Sequence, residues 1–125
     1  MGSTHGKPLD GSKILVAEDE PFLAFDIMAL LLKAGAEVLG PALSVERALE
    51  LANRGQLHCG VLDVMLRDGP VFPAAQVLKQ KGAGIVFYTG QRDPELLKQE
   101  WPDAAVLIKP ALPDFLIQAV IATLP

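Results

Sequence analysis

Residues 60–69 read GVLDVMLRDG, in which one acid, Asp63, stands within the apolar run between Leu62 and Val64. A carboxylate in that company loses hydration, which is costly unless a cation or hydrogen-bond donors replace the water. Short apolar runs without alternation suit strands covered on both faces, and RDGP is a turn signal. Asp63 is then either a cap where the strand meets solvent or an acid held there for chemistry. The neighbouring strands decide between the two.

Four more runs share the pattern: KILVA (13–17), AEVLGPA (36–42), AGIVFYT (83–89) and AAVLI (104–108). Helical stretches separate them. Pro21 can open a helix over FLAFDIMALLLK, with Gly35 as its stop. Ser44 can cap VERALELA, with Gly55 beyond its end. Pro73 is tolerable within the first turn of a third helix over residues 71–82. Asp93 and Pro94 can start a short fourth helix, and Pro113 a last one over residues 113–124. Five strands alternating with five helices on short connections predict an α/β fold with a doubly wound parallel sheet.

The length of 125 residues fits one domain, and half the residues are hydrophobic, enough for a core. We take residues 1–12 as a flexible polar tail and 13–125 as a single domain. The formal net charge of −4 provides no electrostatic footprint for nucleic acid or an anionic membrane. Cys59 is the only cysteine, so an intrachain disulfide is excluded. That usage and the absence of a membrane-length apolar run suit a cytoplasmic protein.

In a parallel sheet of this kind, sites form beyond the carboxyl ends of the strands. Reading only those ends gives Glu18 and Asp19, then Asp63, Thr89 and Lys109; the second strand ends in GPA and offers nothing chemical. Three carboxylates in one place repel and need a cation, and a hard, oxygen-liganded ion such as Mg2+ meets that need. A carboxylate can also act as nucleophile in phosphoryl transfer, where positioned cations and donors stabilise the moving charge. Asp63 is the best nucleophile candidate, because it stands alone on its strand end. Lys109 supplies a point charge and Thr89 a hydroxyl donor.

With Glu18-Asp19, Asp63 in LDVML, Thr89 in YTG and Lys109-Pro110 in order, the chain resembles the receiver domain of two-component response regulators over nearly all of residues 13–124. The resemblance implies a flavodoxin-like sheet of order 2-1-3-4-5 and a cis bond between Lys109 and Pro110. It implies that Asp63 accepts phosphate from a phosphohistidine of a sensor histidine kinase or histidine phosphotransfer protein. Glu18, Asp19, Asp63 and the backbone carbonyl of Met65 would then surround Mg2+. Signalling through altered contacts with a downstream protein, without enzymatic turnover, follows from the same likeness.

Two departures stand out. Val106 occupies the position where most receivers carry a switch aromatic, and the FYTG segment is similar to a Phe-x-Thr-Gly subgroup that lacks it. Gly90 gives the loop after Thr89 backbone freedom, so that loop, Gly90 to Asp93, is the expected moving part. Arg67 stands where a proline is usual, either as a solvated cation or as a guide for an anionic donor.

Other residues have blander roles. Glu20 reads as a first-turn helix acid, Tyr88 and Trp101 as packing residues, Asp26 as a solvent-face acid and Cys59 as a small core residue. His5 and His58 lack the helical setting of a phosphotransfer histidine. Two rivals remain: a degenerate receiver that works without phosphate, and a Mg2+-dependent phosphohydrolase. Met65 counts against the second, since the best-known type needs an acid two residues after its nucleophile.

Overall fold

A computed structural model describes residues 6–90 and 93–125. Its central sheet is formed by β1 (Lys13–Ala17), β2 (Glu37–Ala42), β3 (Cys59–Leu62), β6 (Gly84–Thr89) and β7 (Ala105–Ile108). All neighbours pair in parallel, in the order β2-β1-β3-β6-β7. Counting only these five strands, this is the expected 2-1-3-4-5. The two intervening labels belong to a small antiparallel hairpin in the RDGP region, β4 (Met65–Leu66) and β5 (Gly69–Pro70).

Helices α1 (Pro21–Lys33) and α5 (Pro113–Thr123) cover one face, and α2 (Val45–Ala52), α3 (Phe72–Gln80) and α4 (Pro94–Glu100) the other. Strand alternation divides the core accordingly. Ile14, Val16, Val61, Val86 and Tyr88 pack on the α1–α5 side. Leu15, Ala17, Leu62, Ile85 and Phe87 pack on the opposite side. Phe87 is fully buried there, which contributes about 1.5–3 kcal/mol relative to exposure. Trp101 stacks on Phe72 with ring centroids 5.9 Å apart and meets Phe87 edge-on at 5.6 Å, so its role is packing.

The segment before β1 departs from the sequence reading. Residues 1–5 of the expected tail lie outside the described residues, but residues 7–12 form an ordered turn. Leu9 is fully buried among the α1-side core residues, and its N–H donates to the Ala34 carbonyl at 2.9 Å. Lys7 N–H donates to the Asp10 carboxylate, and Ser12 O accepts from Glu37 N–H. A lone leucine in a polar stretch carries no periodicity, and only its burial shows that the core takes in a residue ahead of β1.

The GPA end of β2 also does more than expected. Gly40 adopts φ 131°, and a Cβ there would meet the Val16 carbonyl oxygen at 2.6 Å. The pairing register shifts at this point so that Ala17 pairs with Ala42. The Ala42 carbonyl then accepts Glu18 N–H at 2.9 Å. The strand without chemistry of its own thus fixes the backbone of the first acid.

Helix α2 is held at both ends from outside. At its start Ser44 accepts Arg47 N–H, while Asp68, 23 residues away on the hairpin, accepts Val45 N–H at 2.7 Å and Glu46 N–H at 3.3 Å. At its end Lys81 Nζ donates to the carbonyls of Ala52 and Gly55. An acid at the amino end and a cation at the carboxyl end both suit the helix dipole. The Val45 N–H bond is the main cause holding the Asp68 carboxyl below its ordinary value, with Glu46 N–H and Arg67 adding to it. A group lowered on folding adds stability above its unfolded value and loses it as pH falls through the folded one. Asp68→Ala should therefore lower the thermal midpoint at neutral pH, and the gap to wild type should close as pH falls below about 4; a thermal denaturation series across pH checks both.

Candidate functional site

The carboxyl ends of β1, β3, β6 and β7 do converge. Asp63 follows β3 directly, and its N–H donates to the Ala17 carbonyl at 2.8 Å, which ties it beside Glu18. Glu18, Asp19 and Asp63 each offer a carboxylate oxygen, and these oxygens lie within 4.8 Å of one another. Lys109 Nζ reaches in from the end of β7, 2.8 Å from Asp63 Oδ2 and 2.8 Å from Glu18 Oε1. Thr89, at the end of β6, is buried, and its carbonyl accepts Lys109 N–H at 2.9 Å. The expected cis bond between Lys109 and Pro110 is present, as is a second one, between Gly40 and Pro41. These side chains border an open cleft of about 370 Å3, with Met65 and Gly90 on its rim.

The electrostatics follow from unequal burial. The Glu18 side chain is 2% exposed, against 11% for Asp63 and 22% for Lys109. Burial pushes the Glu18 carboxyl up, opposed by Lys109 and by the Glu20 N–H on Oε2, and Asp63 adds to the rise. Burial alone would lower the Lys109 ammonium, but its bonds and ion pairs with Asp63 and Glu18 outweigh it and raise it. Glu18 Oε1 is buried and meets the Lys109 ammonium at 2.8 Å with no further partner among the described residues, so that oxygen keeps unused acceptor capacity. Three carboxylates with a spare buried oxygen among them make a donor set suited to a hard divalent cation.

The rim is less simple than its sequence. Gly90 does not adopt a left-handed φ, and a Cβ there would sit 3.8 Å from that of Lys109, so this conformation does not demand glycine. Gln91 and Arg92, in the loop expected to move, lie outside the described residues. Asp93 caps α4 by accepting Glu95 N–H, as its sequence indicates. Glu20 proves to be the cap of α1 itself, accepting Phe22 N–H and Leu23 N–H. Val106 is half-buried against the core beside Phe87, its register partner. Arg67 and Asp26 are exposed. His58 Nδ1 accepts Lys13 N–H, and the Cys59 thiol, buried beside Thr123, is pushed up to about 11 by burial.

The sequence reading missed two contributors to the site. Tyr88 Oη accepts Ala111 N–H at 3.0 Å, just past Lys109-Pro110. Asp68 anchors the hairpin that carries Met65. Both bonds span more than 20 residues, so no local motif announces them.

No family model matches the chain. The transcriptional regulatory protein PdtaR of Mycobacterium tuberculosis is 31% identical over 112 residues, which cover 86% of this chain and 54% of that protein. A response regulator receiver protein from Sinorhizobium medicae superposes with a TM-score of 0.80 at 28% identity, covering 91% of this chain and 96% of that one. SdrG from Sphingomonas melonis does so with a TM-score of 0.77 at 31% identity, covering 90% and 95%. The chain belongs to the response regulator receiver family, a class of signalling domains. It spans about half the length of the curated relatives it matches.

Lys109→Met would leave Glu18 and Asp63 facing each other without their cation. After allowance for the screening of a partly exposed ammonium, the metal-free protein should lose about 1–2 kcal/mol of stability. Divalent cations should at the same time bind more tightly, because the ammonium no longer competes for the same oxygens. Chemical denaturation with and without Mg2+, and calorimetric titration, read the two effects.

Proposed function

We propose that this receiver takes a phosphoryl group on Asp63 from the phosphohistidine of a sensor histidine kinase or histidine phosphotransfer protein, and signals through altered protein contacts. One observation carries the reading: Asp63, at the mouth of the cleft, is hydrogen-bonded to Lys109 within a cluster of two further carboxylates. Asp63 Oδ2 is engaged by the ammonium, so Oδ1 is the oxygen presented to the donor. In the transfer, a bond forms from that oxygen to phosphorus as the phosphorus–nitrogen bond breaks and the electron pair leaves with the imidazole. Lys109 follows the negative charge onto the phosphoryl oxygens, and the Thr89 hydroxyl donates to one of them.

Glu18, Asp19, Asp63 and the Met65 carbonyl would hold Mg2+, which supplies charge neutralisation for the carboxylates and the incoming phosphoryl oxygens. The aspartyl phosphate hydrolyses slowly, and the domain acts as a phosphoacceptor rather than a turnover enzyme, in the cytoplasm where such kinases deliver their phosphate. Exposed apolar residues at the starts of α1 and α5, Phe22, Phe25, Leu112 and Phe115, offer the donor protein a non-polar footing beside the cleft. The FYTG segment and Val106 support placement in the Phe-x-Thr-Gly subgroup, with Thr89 and the loop from Gly90 to Asp93 as the part that moves.

Incubation with acetyl phosphate and Mg2+ should add the mass of one phosphoryl group, and Asp63→Asn or chelation of the metal should abolish the gain. Steady phosphate release without an adduct would instead indicate a hydrolase, and no reaction a phosphate-independent module. On phosphorylation, the amide resonances of Thr89, Gly90 and Asp93 should move further than those of α2; an unmoved loop would remove it from the mechanism.

A further inference from the structure

Tyr88 and Thr89 are consecutive on β6, and alternation sends their side chains to opposite faces of the sheet. Thr89 borders the acidic cleft. Tyr88 is 5% exposed on the other side, in the core beneath α1 and α5. Yet it reaches the same cation: Lys109 Nζ stands 6.0 Å from the centroid of its ring, at the outer limit of a cation–π contact. The backbone around Lys109 is then pinned twice to β6. Lys109 N–H donates to the Thr89 carbonyl at 2.9 Å, and Ala111 N–H donates to Tyr88 Oη at 3.0 Å.

Packing alone does not explain a tyrosine here. A phenylalanine would fill the same space, but it would leave the Ala111 N–H without this acceptor. The hydroxyl serves the segment that carries Lys109. Tyr88 is also part of the wall of an open, largely apolar groove of about 500 Å3 between α1 and α5, together with Leu23, Ile27, Pro110 and Leu116. One side chain therefore touches the loop that holds the site cation and the surface of the opposite layer.

We propose that Tyr88 is a positioning residue for Lys109, and that through it the state of the acidic cleft reaches the groove between α1 and α5. The inference rests on Lys109 as the cation that meets the incoming phosphoryl group. When Lys109 exchanges Asp63 Oδ2 for a phosphoryl oxygen, the pinned segment from Lys109 to Ala111 moves with it. Pro110 and Tyr88 carry that movement into the groove wall. Val106 sits on the opposite face of the sheet, and this route does not use it.

The decisive variant is Tyr88→Phe, compared with wild type and Lys109→Met. In metal-free protein, the Ala111 amide resonance should shift and the Lys109 side-chain carbons should become more mobile, while the fold stays intact by circular dichroism. Mg2+ should bind more tightly, in the direction set by Lys109→Met. The rate of phosphorylation by acetyl phosphate should fall about fivefold, as expected for one lost neutral hydrogen bond. Unchanged Lys109 dynamics, together with a wild-type rate, would reduce Tyr88 to a packing residue. Should wild type take up no phosphate, the functional reading fails alone, and the metal-free Lys109 dynamics still decide the positioning role.

Tyr88 is the only tyrosine, so fluorotyrosine labels it uniquely and provides a second test if Tyr88→Phe does not fold. Its fluorine resonance should shift in Lys109→Met, and in otherwise wild-type protein on phosphorylation. A resonance that ignores both changes would overturn the proposal.

Discussion

One ammonium sits between two carboxylates at the edge of a parallel sheet, and the arrangement around it follows from the cost of that placement. Glu18 is buried because β1 is covered on both faces, and burial raises its carboxyl. Asp63 adds a second negative charge beside it. Lys109 offsets both, and is itself held in the charged form by the acids it serves. Removing Lys109 would leave two carboxylates side by side with no cation between them. The site thus holds its negative charge against a single ammonium.

The rest of the fold keeps these strand ends in register. The irregular end of β2 sets the backbone of Glu18, and the Asp63 N–H bond to Ala17 aligns β3 beside it. Asp68 ties the hairpin after Asp63 to the start of α2, whose far end is closed by Lys81. This flank of the site is braced by charge-assisted bonds. On the other flank, Lys109 depends on two bonds from β6, one from the backbone and one from a tyrosine hydroxyl.

The architecture was legible because its signals are local. Apolar runs such as KILVA and GVL mark covered strands, and Pro21, Asp93 and Pro113 mark helix starts. The convergence of the strand-end side chains was legible for a related reason: strand ends in a parallel sheet share an edge, so order along the chain maps onto neighbourhood in space. What escaped depends on contacts with no sequence period. Leu9 lies in a polar stretch and packs against residues more than 20 positions further on. Asp68 caps a helix that precedes it in the chain. Tyr88 reads as packing because alternation points it away from Thr89, and only its bond to Ala111 returns it to the site. Gly90 shows the reverse limit, a residue whose permissiveness is not used in this conformation.

The placement of the two rarest aromatic side chains has a practical consequence. The chain contains one tyrosine and one tryptophan. Tyr88 lies in the layer of α1 and α5, and Trp101 in the layer of α3 and α4, wedged among Phe72, Phe87 and the Lys79 ammonium. The molecule therefore carries its one tyrosine in one half of its sandwich and its one tryptophan in the other, separated by the sheet. Near-ultraviolet bands assigned to the two rings divide any rearrangement into its two layers without a label or a mutation.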